Sequence, residues 1–562
     1  MIEELTPQIM MVSMVLIILT TAVFTLILSV LLLWRYRRSV SRAMAAVTGF
    51  DAGKSDFQPG IAAASTVRAE ANETGGSKGE SFYRRAIRAR LYGALLLLAA
   101  VFAFAALFAL AAQFVYPSGL GLAGFLLAAW IYFWPAILAL RLMLPGSLRL
   151  WVFSVVVYFL VFALIGALAA TVNNLPEYRF GGIFLDARST VTPWGVARLW
   201  LIVNGLPTLL IWFCFNRRIR AVAPLLLALI STIITGMLVV YFSIFSTAGV
   251  DQFVSFSVAL DIHVLWLVIA ALSMALLVFG ALGWMLIRAI AYAYRKGRLS
   301  DRMLLLDALL LLFANSYGMW LVFGGIGWFA MVPAGFIVYR LVLSLMTRMF
   351  KQTRTAAQGL TFLRVFSLGR RSDALLSEIA GYWRYLGSVQ MITGPDVVNS
   401  TVQPHQFLDF LSGRLSSHFI CDTDSLAVSL AQRERAPDPD GRFRINNLFC
   451  HEDSWQPALS QLVRAGDVVL MDLRSFSAVN AGCIHELRLL VRQVPCSRFV
   501  LVVDATTDEK FLRAILSEAW QQLQPEAPNL ARAPEEVAMY RYEGGDAQLR
   551  QMTAYLCHAA FA

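Results

Sequence analysis

Charge is scarce in this chain. Asp, Glu, Lys and Arg make up 15% of its 562 residues against 58% hydrophobic ones, a balance too apolar for an ordinary soluble protein of that length. Cysteine is scarce too, and the six present show no framework spacing, which excludes a disulfide-stapled scaffold and points to reduced, mostly buried thiols. The C-terminal third has no GxGxxG, no GxxxxGK[ST] and no Gly-x-Ser-x-Gly, so neither a dinucleotide or P-loop fingerprint nor a hydrolase elbow is available. Cys450-His451 and Cys483-x-His485 lack the Cys-x-x-Cys spacing of structural zinc sites, and no metal is expected. The net charge of +11 does not signal nucleic acid. Residues 1–350 hold 26 Lys and Arg against 13 Asp and Glu, and residues 351–562 hold 21 against 23, so the basic excess follows the apolar part and no nucleic-acid partner is expected.

Long hydrophobic runs are what the chain does have. A helix crosses the hydrocarbon core with about 20 apolar residues, and nine stretches qualify: 9–34, 91–115, 120–143, 150–172, 198–215, 222–246, 263–287, 303–323 and 328–346. The last two are separated at Gly324-Gly325-Ile326-Gly327, a tight glycine turn. The first is followed by Arg35, Arg37 and Arg38 rather than by a small-residue cleavage site, so it reads as a retained span and not a signal peptide. Those arginines hold the following loop in the cytoplasm and place the N-terminus outside; nine crossings then leave the C-terminal part in the cytoplasm of a cell with this protein in its inner membrane. Residues 43–80 read as a flexible cytoplasmic loop. The run from Phe82 to Arg90 reads as a basic flank, and 173–194 and 247–262 as outer loops. Asp307, one turn into the eighth span, suggests an ion pair near the cytoplasmic edge. Pro135, Pro333 and Asn204-Gly205-Leu206-Pro207 suggest kinks.

After a linker at 351–386, with Arg364, Arg370 and Arg371 and an amphipathic stretch at 372–385, the pattern changes to short β-branched runs alternating with amphipathic helices. Strands are predicted at 389–393, 418–421, 447–450, 467–473, 498–504 and 537–542, and helices at 404–415, 425–433, 456–464, 481–492, 509–523 and 546–558. Such alternation predicts a doubly wound, mostly parallel α/β sheet with ligands beyond the C-terminal strand ends. That edge carries Gly394 and Asp396 in Thr393-Gly394-Pro395-Asp396, Asp472 and Arg474 in Asp472-Leu473-Arg474-Ser475, and the run from Asp504 to Asp508. Gly394, Asp396, Asp472 and Arg474 are the candidate cofactor-binding residues. Asp438-Pro439-Asp440-Gly441-Arg442 reads as a surface turn.

The order from Asp453 to Leu487, a helix at 456–464, the strand Asp467-Val468-Val469-Leu470-Met471-Asp472, a Ser/Asn-rich loop and then Cys483-Ile484-His485-Glu486-Leu487, resembles the middle of a TIR (Toll/interleukin-1 receptor-type) domain. There a buried strand, a serine-containing loop and a helix with Trp-Cys-x-x-Glu-Leu follow one another; Gly482 stands here in place of the Trp. The resemblance implies a Rossmann-like signalling domain that assembles as a homo-oligomer. It puts the catalytic glutamate of NAD-cleaving members on Glu486, with residues 450–455 as the loop that gates the site and NAD or another nucleotide as ligand. Read as residues alone, Glu486 is a helix carboxylate within reach of Arg488 or Arg492. The leading expectation is a multi-pass membrane protein presenting this domain in signalling or stress response, with NAD hydrolysis as a lesser branch. A transporter or channel with a regulatory tail and a non-catalytic scaffold stay open beside it.

Overall fold

The computed structural model describes residues 7–44, 75–115, 121–143, 148–171, 193–214, 222–322, 325–349, 358–365, 370–393, 407, 410, 411, 413, 419–431, 433, 436–451 and 454–560. The chain divides into two compact units, one of residues 1–33 and 94–351, the other of residues 34–93 and 352–562.

The first unit is helical: α1 (Pro7–Met44) and α2 (Gly75–Val115), which continue into the second unit, then α3 (Gly121–Tyr132), α4 (Trp134–Met143), α5 (Leu148–Thr171), α6 (Pro193–Trp200), α7 (Leu206–Cys214), α8 (Ala223–Ile244), α9 (Thr247–Leu260), α10 (Val264–Arg295), α11 (Asp301–Leu321) and α12 (Met331–Met349). Among the described residues seven helical stretches are long and apolar enough to cross a membrane, the pattern of a multi-pass membrane protein. They coincide with seven of the nine sequence runs. The run at 198–215 forms the shorter apolar stretch Ala197–Trp212, and the run at 9–34 lies within α1. Pro135 falls where α3 passes to α4, and Gly325, at φ 129, separates α11 from a 3-10 turn (Ile326–Ala330) and α12. The stretch 247–262 is not an open loop: Ser246 caps α9 by accepting from the Gly249 N–H, and apolar Phe256, Val258 and Leu260 are left exposed. Helix reaches into both ends of the expected loop at 43–80, since α1 runs to Met44 and α2 begins at Gly75; residues 45–74 lie outside the described ones.

α11 sits in the middle of this unit, with Leu309, Leu310, Phe313, Ala314 and Tyr317 sealed from the surface. Two buried polar groups of this unit are paired, as an apolar interior favours. Asn204 lies in a π-helical turn (Leu201–Gly205), donates to the Ile131 carbonyl at 3.1 Å and accepts from the Tyr317 hydroxyl at 2.8 Å. Asp307 is 3.3 Å from Arg340, a structural ion pair as its position suggested.

The second unit holds a seven-stranded parallel sheet: β1 (Leu360–Arg364), β2 (Val389–Thr393), β3 (Phe419–Ile420), β4 (Ile445–Cys450), β5 (Val468–Asp472), β6 (Phe499–Val503) and β7 (Ala538–Arg541), in the order β3-β4-β2-β1-β5-β6-β7. Its helices are α13 (Arg370–Trp383), α14 (Thr423–Ala431), α15 (Trp455–Ala465), α16 (Ala481–Gln493), α17 (Glu509–Gln521) and α18 (Asp546–Ala559). Strand side chains alternate between faces. Leu363, Val469, Met471, Leu501 and Val503 pack with α15, α16 and α17, whereas Leu360, Phe362, Leu470, Val500 and Val502 pack with α13 and α18. Ala86 of α2 is buried in this second cluster, Arg90 lies over the Tyr382 ring, and Tyr36 of α1 meets Phe407 and Phe410 edge-on.

The reading of 351–386 as a linker is corrected here. β1 lies inside it, bonded to β2 on one side and β5 on the other, so the sheet's central strand and its first helix precede Gly387. Every residue of β1 is buried, so it shows no alternation by which to tell it from the spans upstream. The surface turn is corrected in part: Gly441 takes the left-handed turn at φ 78, but Asp438 is buried and held by Arg444 at 2.9 Å. The helix expected at 404–415 falls largely outside the described residues.

Candidate functional site

Parallel strands all end at one edge, and the two central ones bring the polar groups together. β1 and β5 end in register, Arg364 opposite Asp472, with the Val365 N–H donating to the Asp472 carbonyl at 3.2 Å. The Asp472 side chain is 0% exposed. It is gripped by the fork of Arg474, Nε to Oδ1 at 2.8 Å and Nη2 to Oδ2 at 2.7 Å, and Arg474 also donates to the Arg371 carbonyl at 3.0 Å. A two-pronged guanidinium–carboxylate pair is the strongest ordinary side-chain contact. Burial works against the Arg474 charge, but Asp472 more than offsets it and holds the guanidinium above its ordinary value.

At the end of β6, Asp504 accepts from the Thr506 N–H at 2.9 Å and from the Thr506 hydroxyl at 2.6 Å, and pairs with Arg371 at 2.6 Å. Partial burial raises the Asp504 carboxyl; the bonds from Thr506 and Arg371 prevail and hold it below its usual range. Between these two strand ends Ser475 has φ 58, and its backbone N–H donates to Thr506 Oγ1 at 3.1 Å. A non-glycine residue in the left-handed region is uncommon, and such positions gather at functional edges.

Glu486 comes from the helix that follows β5. In α16 the buried positions are Cys483, Glu486, Leu487, Leu490 and Val491, spaced by three and four as one helix face requires, so Glu486 stands on the apolar face rather than outside it. It is 3% exposed, and among the described residues its Oε2 has no hydrogen-bond partner. Burial pushes its carboxyl up to about 8, against the pull of the Arg364 guanidinium. Arg364 in turn bonds Asp373 at 3.1 Å, and the Cys483 thiol lies 3.7 Å from the Arg364 carbonyl. The neighbours expected to pair with Glu486 are engaged elsewhere: Arg488 with Glu518 at 2.9 Å and Arg492 with Gln522 at 3.3 Å.

Of the sequence candidates, Asp472, Arg474 and Glu486 thus come to the β1–β5 end of the sheet, while Gly394 and Asp396 lie outside the described residues, as do Glu452 and Asp453 of the expected gating loop. Arg364, Arg371 and Asp373 belong to the site and were missed as site residues; the signal for them was the run Leu360-Thr361-Phe362-Leu363-Arg364 between Gly359 and the helix at Arg370. No group of three or more His, Cys, Asp or Glu suited to a metal occurs among the described residues. The edge therefore holds three arginine–carboxylate pairs, Arg364–Asp373, Arg474–Asp472 and Arg371–Asp504, of which only the Arg371 guanidinium is well exposed to a ligand, beside the buried Glu486 carboxyl. No family model, curated protein sequence or solved structure matches this chain.

Proposed function

We propose that this is a multi-pass membrane protein whose second unit is a cytoplasmic, TIR-like signalling domain that binds a nucleotide at the β1–β5 edge. The observation that carries the reading is Glu486: a buried carboxyl, lacking a partner for Oε2 among the described residues, on the helix after a central strand and next to a row of arginines. An ionisable side chain is seldom left so placed for stability alone, because burying a polar group without a partner costs free energy. The resemblance to the TIR order of strand, loop and Cys-x-x-Glu-Leu helix supports it, and so does the place of β1 between β2 and β5.

Three finer points belong to the same reading. Nine crossings with the N-terminus outside and the domain in the cytoplasm of an inner-membrane protein are supported by the Lys and Arg of alternate loops. A doubly wound sheet is supported by helices packed on both faces. Assembly into a homo-oligomer is what the resemblance implies. Cleavage of NAD is the lesser branch, and it has a physical route: the nicotinamide ring is cationic, so its arrival beside Glu486 would favour the ionised carboxylate, which could then steady an oxocarbenium-like transition state.

The test is nucleotide binding and NAD turnover by the full chain in lipid nanodiscs, beside a Glu486→Gln variant of unchanged fold. Binding that weakens in the variant supports the site, and turnover that disappears in it supports the catalytic branch. Binding and turnover alike in both proteins would remove Glu486 from the function.

A further inference from the structure

Away from that edge's centre, β3 and β4 lie side by side in register, Ile420 opposite Cys450. Ile420 and Cys450 face the side covered by α14 and α15, where both join the apolar cluster, and the residue that follows each strand's end turns away from it. Those residues are Cys421 and His451. The Cys421 sulfur is 3.5 Å from Nε2 of His451. Their surroundings fix this approach from both sides. The His451 ring packs against Phe419 at 5.0 Å between centroids, and its backbone N–H donates to the Ser454 hydroxyl at 2.9 Å. Cys421 is held by its own N–H, which donates to Ser425 Oγ at 3.0 Å, at the start of α14, whose first turn Asp422 caps by accepting from the Ser425 N–H at 2.7 Å.

The two partners differ in access as a reactive pair requires. Cys421 is exposed. His451 is 8% exposed, and its Nδ1 has no hydrogen-bond partner among the described residues. Cys450, Cys483, Cys496 and Cys557 of the same unit are buried, and burial pushes the Cys450 thiol up to about 12. A nucleophile within reach of a positioned base is the signature of an activated thiol, and here the exposed member is the sulfur.

We propose that Cys421 and His451 form a reactive thiol–imidazole pair at which the Cys421 sulfur is oxidised by hydroperoxides. Nε2 of His451 takes the thiol proton while the sulfur attacks one peroxide oxygen. The S–O bond forms as the O–O bond breaks, sulfur gives up two electrons, and the departing hydroxide, or alkoxide from an organic hydroperoxide, recovers the proton from the imidazolium and leaves as water or alcohol. Cys421 ends as a sulfenic acid. Cys450 faces the opposite side of the sheet, so the thiol that reduces this product comes from outside the pair. The site is independent of Glu486.

The experiment follows sulfenic acid at Cys421 in the full chain in nanodiscs exposed to hydrogen peroxide, trapped with dimedone and read by peptide mass spectrometry. Cys421 of the native protein should react about tenfold faster than the same cysteine in the urea-unfolded chain, and faster than any other cysteine. His451→Ala should bring the rate down to that of the unfolded chain, and added imidazole should restore it. A native rate no higher than the unfolded one overturns the proposal, and needs no variant to fold. A folded His451→Ala protein that reacts at the native rate, or one that imidazole does not rescue, overturns the role of the imidazole as base.

Discussion

Arg364 draws the Glu486 carboxyl towards ionisation while burial drives it the other way, and burial wins: the carboxyl is pushed up to about 8. Both side chains are 3% exposed, so water can do little to settle the contest.

That balance has a sign. Between about 4.5, its ordinary value, and about 8 the native state keeps a proton that the unfolded chain releases, so this group's contribution is complete at the acid end and is lost as pH rises through 8. Glu486→Gln keeps the neutral shape. Thermal unfolding of the second unit, followed across that window, should show wild type falling behind the variant by about 3–5 kcal/mol at the alkaline end, at about 1.4 kcal/mol per unit. Parallel curves for the two proteins would mean the carboxyl is ionised throughout.

Asp472→Ala should be among the most damaging changes in the α/β unit. It leaves the Arg474 guanidinium buried without its carboxylate, a loss of about 3–5 kcal/mol. Arg474→Lys should recover only part of the contact, since an ammonium cannot supply Nε and Nη2 to the two oxygens at once. Hydrogen exchange of the β5 and β6 amides reports both, and unaltered protection would refute the pairing.

In the membrane unit α8 and α10 approach through glycine. A Cβ at Gly236 would meet the Phe279 ring at 1.9 Å, and one at Gly283 would meet Leu229 Cδ1 at 2.6 Å. Small residues at such crossings let membrane helices close. Gly236→Ala should lower stability by about 1–3 kcal/mol, seen as a lower melting temperature in detergent, while alanine at Gly280, which meets nothing within 4 Å, should not.

Asn204→Leu removes the partner of the Tyr317 hydroxyl and of the Ile131 carbonyl together, in a place that is 0% exposed. The expected cost is about 1–2 kcal/mol. Tyr317→Phe in the same background should return part of it, because it removes the orphaned hydroxyl; two losses that simply add would show that the residues do not interact.

Much of this architecture could be read from residue order. Alternation and helical spacing locate six strands of the α/β unit within about two residues, because each has a polar or turn-forming flank. β1 escapes, since Leu360 to Arg364 are buried on both faces and show no alternation, so Arg364 and Arg371 pass for charge flanking the last apolar run. The site shows the same limit. Glu486 could be picked out by resemblance, yet its nearness in sequence to Arg488 and Arg492 suggested an exposed pair. The spacing Cys483, Glu486, Leu487, Leu490 already put it on the buried face; what no sequence spacing contains is that Arg488 would turn to Glu518 and leave the carboxyl to Arg364. The Cys421–His451 pair depends on two strands lying adjacent and in register, which is a property of the folded sheet.

The presence of Ala86, Arg90 and Tyr36 in the α/β unit has a consequence for synthesis. These residues leave the ribosome early, whereas Phe362, Tyr382 and Phe407, which complete their surroundings, emerge only after the last apolar helix. The unit cannot close its seam until the whole helical unit between them has been made, which couples completion of the one to insertion of the other. A fragment begun at residue 352 would lack that early-made edge, and its Ala86-facing surface would stay open to water.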